Sequence, residues 1–346
     1  MSQSHVRKHS WRNDLNQIAT SETESSRQRT PNAGMFDLAR IEFPKPGWFM
    51  AIGPAVVAWL GSVSFLGVFR ANDVTDTMGH FCSLRSIFLG VLAVSLVLTL
   101  LYAMRRNFAY CVLWFTIAGY LGGHELYAWL PVHGVKVWRI PFQEVSHGFY
   151  FASHRMIYGF CVAGMALLCL WISSALCGQR PSLYLRFGNW RALGRDFTHR
   201  SKPETYIQSI LGFLAFAVVL AIVVQMSVGL KPLRSGSLFP LIPALVIAAI
   251  ANAFAEELIY RGVLQSAFVH AAGLARGIWI CSLMFGLLHW GLSVGLLTAL
   301  PTSFLIGVGS VFWGKSLRDT GGISWAIAAH SMVDFAVMCA YFVPIH

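Results

Sequence analysis

Residues Ala248–Arg261 read AAIANAFAEELIYR and close an apolar run that begins near Leu238. Two adjacent carboxylates, Glu256 and Glu257, and one cation, Arg261, stand at its end. A charge at the centre of a bilayer costs about 2.5–3.5 kcal/mol on insertion scales, so ionisable side chains inside apolar spans usually mark a functional site. On a helix Glu257 and Arg261 are i,i+4 on one face, carboxylate first, which is the favourable order for an ion pair. Glu256 points about 100° away. The spacing predicts one carboxylate neutralised by the arginine and a neighbour free to handle protons. Taken alone, it also fits three charges sitting in headgroups where a helix leaves the bilayer.

Two further runs lie in later apolar segments. Phe285–His289 reads FGLLH and His330–Asp334 reads HSMVD, so histidine and aspartate stand one helical turn apart in the second. A lone histidine on an apolar face is ordinarily a hydrogen-bonded core residue. Glu, His and His-x-x-x-Asp on three separate apolar segments are harder to account for in that way, and point to a shared polar site.

With these three runs the chain resembles the CPBP intramembrane proteases, which include the CAAX prenyl endopeptidases and their bacterial relatives. The family pattern EExxxR, FxxxH, HxxxN/D is met in order by Glu256-Glu257…Arg261, Phe285…His289 and His330…Asp334. The resemblance covers roughly Tyr206–Tyr341 and implies a C-terminal protease core. It implies water activation for Glu256 and His289, oxyanion stabilisation for His330 and Asp334, and supporting positions for Glu257, Arg261 and Phe285. Many relatives carry Asn at the last position. An ionised Asp334 facing an oxyanion would repel it, so Asp334 is expected to act behind His330 or to be protonated.

Peptide hydrolysis needs an activated water, a stabilised oxyanion and a proton for the leaving amine. A glutamate beside a histidine divides the first and last of these tasks, which makes Glu256 and His289 the leading pair. The same groups suit a metal: Glu256, His289 and His330 would be a three-ligand zinc set with water in the open position. HExxH is absent and the histidines lie on separate segments; the resemblance favours a glutamate-type mechanism that requires no cofactor.

The composition sets the frame. The chain has 346 residues, 56% hydrophobic and only 12% charged, against roughly 25% charged in soluble proteins, and its mean hydropathy is +0.59. This predicts an all-α fold, a polytopic transmembrane helix bundle. Spans are expected near Met50–Phe69, Ile87–Met104, Phe108–Leu130, Met156–Leu176, Tyr206–Val228, Leu238–Tyr260, Gly277–Leu297, Ala299–Trp313 and Ile323–Val343. The eighth is short and opens near Pro301, so the count is eight or nine. The net charge of +11 reads as cytoplasmic loops and contact with anionic lipid, not nucleic acid. Arg105, Arg106 and the arginines of Gly178–Lys202 fall on one side if the N-terminus is cytoplasmic. Seven cysteines without a CxxC pair read as small core residues.

The expected organisation is a disordered cationic cytoplasmic tail at 1–45, a module of four transmembrane helices at 46–177, a basic cytoplasmic loop at 178–205 and the protease domain at 206–346. His124, Glu125, His133, Glu144, His147 and His154 surround the expected external loop after the third span. Their spacing matches no metal-ligand pattern, and scattered interfacial residues are expected there. The function expected is an intramembrane endopeptidase acting on a peptide or membrane-protein substrate at a bond within the cytoplasmic half of the bilayer or near its middle. That depth rests on Glu256 lying about a turn from an expected helix end. A non-proteolytic binding or regulatory protein is the alternative, and a proton-coupled transporter a third. The simplest location is a bacterial plasma membrane. The sequence does not set the substrate or the oligomeric state.

Overall fold

A computed structural model describes residues 48–71, 78–130, 145–179, 181–194, 205–228, 239–289 and 296–340. These all fall in one compact unit, Pro46–His346. The expected tail, His133 and Glu144 lie outside the described residues.

In lipid every backbone N–H and C=O needs an internal partner, which leaves helices as the fold for apolar runs of this length. The described residues form α1 (Trp48–Ala71), α2 (Met78–Met104), α3 (Phe108–Trp129), α4 (Val145–Leu176), α5 (Tyr206–Val228), α6 (Ile242–Glu257), a π-helical turn (Leu258–Leu264), α7 (Gln265–Ala272), α8 (Leu274–Leu288), α9 (Leu296–Thr320) and α10 (Ser324–Ala340). Since α6, the π turn and α7 form one continuous rod, there are nine helical rods among the described residues, one for each expected segment. The eighth segment forms a helix of 25 residues despite Pro301. Among the described residues no strand forms, only an isolated bridge between Leu193 and Thr205.

The surface is inverted relative to a soluble protein. Leu100, Val97, Phe160, Val219 and Phe304 face outward, while Arg155, Glu257, Arg261, Gln265 and His330 are buried. Among the described residues four helices are long and apolar enough to cross a bilayer on their own: Ser86–Met104, Gly148–Leu176, Tyr206–Val223 and Ile242–Ala272. Helix α3 is not among them. Most of its residues from Ala109 to His124 are buried inside the bundle, so its outer face does not have to satisfy lipid.

Two expected boundaries are corrected. The segment expected to stop at Tyr260 runs on to Ala272, giving a rod of 31 residues, about 46 Å long. Glu256 therefore lies near the middle of the rod, not about a turn from a helix end as expected. Helix α4 starts at Val145, not near Met156, so His154 and Arg155 are helical and buried rather than in an external loop. The cause is common to both: a charged residue that faces the bundle interior does not terminate a helix.

The rod turns back at Gly273, whose φ of +85° is a left-handed region open to glycine. Helix α8 then runs antiparallel against α7, close enough that a Cβ on Gly277 would lie 2.5 Å from Val269 Cα. Helix α4 meets α6 in the same intimate way. A Cβ on Gly159 would lie 2.6 Å from Ala255 Cβ, and one on Gly148 would lie 2.4 Å from Ala244 Cβ. Small residues are the means by which helices approach in lipid, where burial of apolar surface supplies no drive.

Gly159→Leu should therefore push α4 off α6 and lower stability by about 1–3 kcal/mol. Gly164→Ala on the same helix, which has nothing within 4 Å of the new Cβ, should leave the thermal midpoint in detergent unchanged. Equal midpoints for the two variants would remove the claim that this contact is tight.

Candidate active site

Glu257 occupies the closed centre of the bundle. Its side chain is 0% exposed and its Oε1 lies 3.3 Å from Arg261 Nη1, the i,i+4 pair expected from the spacing. The same oxygen accepts from His330 Nδ1 at 2.8 Å, from α10. Arg261, also buried, donates through Nη2 to Ser310 Oγ of α9 at 2.7 Å. Its guanidinium carbon lies 4.0 Å from the Phe285 ring centroid and 5.3 Å from that of Trp313, geometry in which a cation is attracted to a π face.

Glu256 sits at the edge of this centre. Its Oε1 accepts from Arg155 Nη2 of α4. Its Oε2 is buried without a hydrogen-bond partner, 3.7 Å from His330 Nε2. Glu256 is therefore not the free carboxylate expected from the sequence: a cation from a distant helix holds one of its oxygens. Asp334 Oδ1 lies 3.5 Å from the same Nε2, and its Oδ2 accepts from Asn252 Nδ2 of α6 at 2.8 Å. The expected placement of Asp334 behind His330 is thus corrected. Glu257 backs Nδ1, while Asp334 and Glu256 share the Nε2 side.

His330 is fixed on every side. Trp313 stacks on it with centroids 4.4 Å apart at 13°, and Phe285 meets it edge-on at 5.8 Å. His289 caps α8, its Nδ1 donating to Phe285 O at 2.8 Å. A carbonyl only accepts, so this bond places the proton on Nδ1 and leaves Nε2 of the neutral ring with its lone pair. Glu256, Asp334 and His330 all lie within electrostatic reach of His289. The structure thus brings together all seven residues singled out in the sequence.

The sequence reading missed Arg155, Asn252, Ser310 and Trp313. Asn252 was within reach of it, being four residues before Glu256 and hence on the same face. The other three come from helices whose packing no spacing rule reports. The expected interfacial histidines are also corrected. His124 is buried against Tyr120, with ring centroids 4.7 Å apart, and His154 Nδ1 lies 3.1 Å from Tyr127 Oη. Tyr120 in turn bridges Ser62 Oγ at 2.6 Å and Tyr260 Oη at 3.1 Å, extending a polar interior from α1 to the π turn.

Among the described residues no group of three or more His, Cys, Asp or Glu side chains is set to hold a metal ion. The carboxylates of the site are interleaved with guanidiniums: Arg155 is on Glu256 and Arg261 on Glu257. A dication at Glu256 Oε1 would have to contest Arg155, whereas Oε2 carries no such partner.

Residues 237–336, which contain every motif residue from Glu256 to Asp334, match the family described as type II CAAX prenyl endopeptidase Rce1-like. An uncharacterized protein of Bacillus subtilis (strain 168), YpbD, is 35% identical over 101 residues, covering 28% of this chain and 46% of the relative. The chain thus matches less than half the length of that curated relative. No solved structure matches. Arg155 lies outside the matched region. Over residues 237–336 the chain is thus similar to the Rce1-like endopeptidases, in agreement with the CPBP resemblance of its three motifs.

Proposed function

We propose that this integral membrane protein is an intramembrane endopeptidase of the glutamate type, with Glu256 as general base. The observation that carries this reading is Glu256 Oε2: buried, without a hydrogen-bond partner, and turned towards His330 Nε2 at 3.7 Å. A water hydrogen-bonded to Oε2 gives up a proton as its oxygen attacks the peptide carbonyl carbon. His289 Nε2 accepts the water's second hydrogen and aims its lone pair. The carbonyl oxygen gains a negative charge, and His330 Nε2–H, held in place by Glu257 on Nδ1 and by the Trp313 stack, donates to it. As the C–N bond breaks, the proton held on Glu256 moves to the leaving amine. Asp334, its Oδ2 pinned by Asn252, sets its other oxygen 3.5 Å from His330 Nε2. These charges act in a site sealed from bulk water, where each is worth more than at a surface.

The substrate is a peptide or membrane-protein segment that reaches the middle of the bilayer, in line with the position of Glu256 in its rod. The reaction needs no metal in this reading. With the N-terminus cytoplasmic, Arg105, Arg106, Arg186 and Arg191 fall on the cytoplasmic side, as the positive-inside bias favours, and a bacterial plasma membrane is the simplest location. The ion pair of Glu256 with Arg155 favours a second reading, a non-proteolytic membrane protein in which both carboxylates only hold helices together.

Comparative proteomics of membranes carrying the wild type or Glu256→Gln separates the two. Loss of the base should slow processing about 10²–10⁴-fold, so a peptide or protein should accumulate uncleaved in the variant. Identical profiles at equal expression, in cells that keep the phenotype of the wild type, would sink the proteolytic reading. Processing of that species should also survive prolonged dialysis against a zinc chelator; its loss and recovery on adding zinc would overturn the metal-free mechanism.

Glu257 and Arg261 are expected to behave differently from Glu256. Arg261→Met removes the guanidinium from the fully buried Glu257, leaving it only His330, and should cost about 3–5 kcal/mol of stability, seen as lost folded yield and a lowered thermal midpoint. Glu256→Gln keeps an amide oxygen that can accept from Arg155 at a less enclosed position, so its midpoint should fall less than that of Arg261→Met. A stable Arg261→Met protein would contradict the structural role of the pair.

A further inference from the structure

Arg155 reaches the site from α4, outside the residues that match the family. Its side chain is 6% exposed and that of Glu256 12%, so little water screens the pair. Its position is built in. Four residues on, Gly159 brings α4 against Ala255, the residue before Glu256. Tyr158 flanks the guanidinium, its ring centroid 5.3 Å from the central carbon. The charged and titratable groups around Glu256 are Arg155 from α4, Glu257 and Arg261 from its own rod, His289 from α8, and His330 and Asp334 from α10. The phenols Tyr120, Tyr158 and Tyr260 stand further back. Arg261 is engaged by Glu257, which leaves Arg155 as the cation in contact with Glu256.

We propose that Arg155 is a positioning residue for Glu256. It occupies Oε1, so that Oε2 is the oxygen turned towards His330, and it sets a positive charge directly against the carboxyl group. The helices that precede the matched domain thereby complete the site: residues 237–336 contain the reacting groups, and α4 contains the group that orients one of them. This inference rests on the reading of Glu256 as the base, but the contact can be tested without substrate or turnover.

The probe is N,N′-dicyclohexylcarbodiimide, an apolar reagent that reaches carboxyl groups inside a bilayer. The carboxyl proton goes to a carbodiimide nitrogen and the carboxyl oxygen bonds to the central carbon. Migration of the acyl group to nitrogen then gives a stable N-acylurea, with nothing leaving. Full-length wild type, Arg155→Met and Arg155→Lys are labelled in nanodiscs at one fixed pH, and the adduct is located by fragmentation mass spectrometry. Glu257, still held by Arg261 and His330, serves as the internal control. Removing the cation should raise the labelling rate of Glu256 at least about ten-fold, with Glu257 unchanged, while the lysine variant stays close to wild type. An unchanged Glu256 rate in Arg155→Met overturns the proposal. So does an equal rise at Glu256 and Glu257, which would make Arg155 a brace for the fold. If the methionine variant does not accumulate, Arg155→Gln, neutral but polar, is read in the same way. A selective rise in labelling alongside normal processing by Glu256→Gln would retain the contact and reject Glu256 as the base.

Discussion

The constraint on which the rest depends is the burial of Glu257. A carboxylate with no exposure, near the middle of a 31-residue rod, has to be matched by positive charge and hydrogen bonds. Arg261 supplies the first at 3.3 Å and His330 Nδ1 the second at 2.8 Å. The match brings its own requirements. Arg261 needs Ser310 and the faces of Phe285 and Trp313, and His330 needs the Trp313 stack. One buried charge thus obliges α6, α8, α9 and α10 to converge. A buried ion pair is often no more stabilising than a well-packed apolar pair, so its presence here points to what it orients. It fixes the imidazole of His330 with Nε2 turned towards Glu256 and Asp334.

Convergence of polar groups inside lipid requires that they be sealed. The seal is made by backbone proximity: Gly148 and Gly159 set α4 on α6, and a Cβ on Gly286 would lie 2.3 Å from Ser303 O where α8 crosses α9. Helix α3 sits within this wall. Because its neighbours shield it from lipid, it carries Tyr120 and His124 inward without having to be uniformly apolar. The same enclosure allows Arg155 to be charged and buried at once.

The helices were legible, to within one, because apolar runs set apart by polar or charged segments stand out in the sequence, although among the described residues only four are long and apolar enough to cross a bilayer alone. Their ends were less legible. Arg261 and the residues after it looked like an exit from the bilayer, as did His154 and Arg155. Whether a charge ends a helix depends on the face it occupies, and the face is set by tertiary packing. The pairing of Glu257 with Arg261 followed from i,i+4 spacing, a local rule that survived even though the arginine lies in a π turn. The pairing of Glu256 with Arg155 spans 101 residues, and no local rule reports it. The role expected of Asp334 behind His330 went to Glu257 for the same reason, since the order of motifs along the chain does not say which nitrogen of a ring each will meet.

Two adjacent glutamates look redundant, and the geometry shows why they are not. A site in hydrocarbon needs a charge cluster to hold its histidine, and the carboxylate at the centre of that cluster is committed: Glu257 Oε1 serves both Arg261 and His330. A reacting carboxylate needs an oxygen that water and substrate can reach, and the second oxygen of Glu257, although it also lacks a hydrogen-bond partner, is fully enclosed. A step of one residue on a helix turns the side chain by about 100°, enough to move it from the sealed centre to the seam between α4, α6 and α10. There Glu256 keeps one oxygen on Arg155 and the other without a partner, in a side chain that is 12% exposed. The doubled glutamate is the shortest sequence that places a structural and a reactive carboxylate around one histidine.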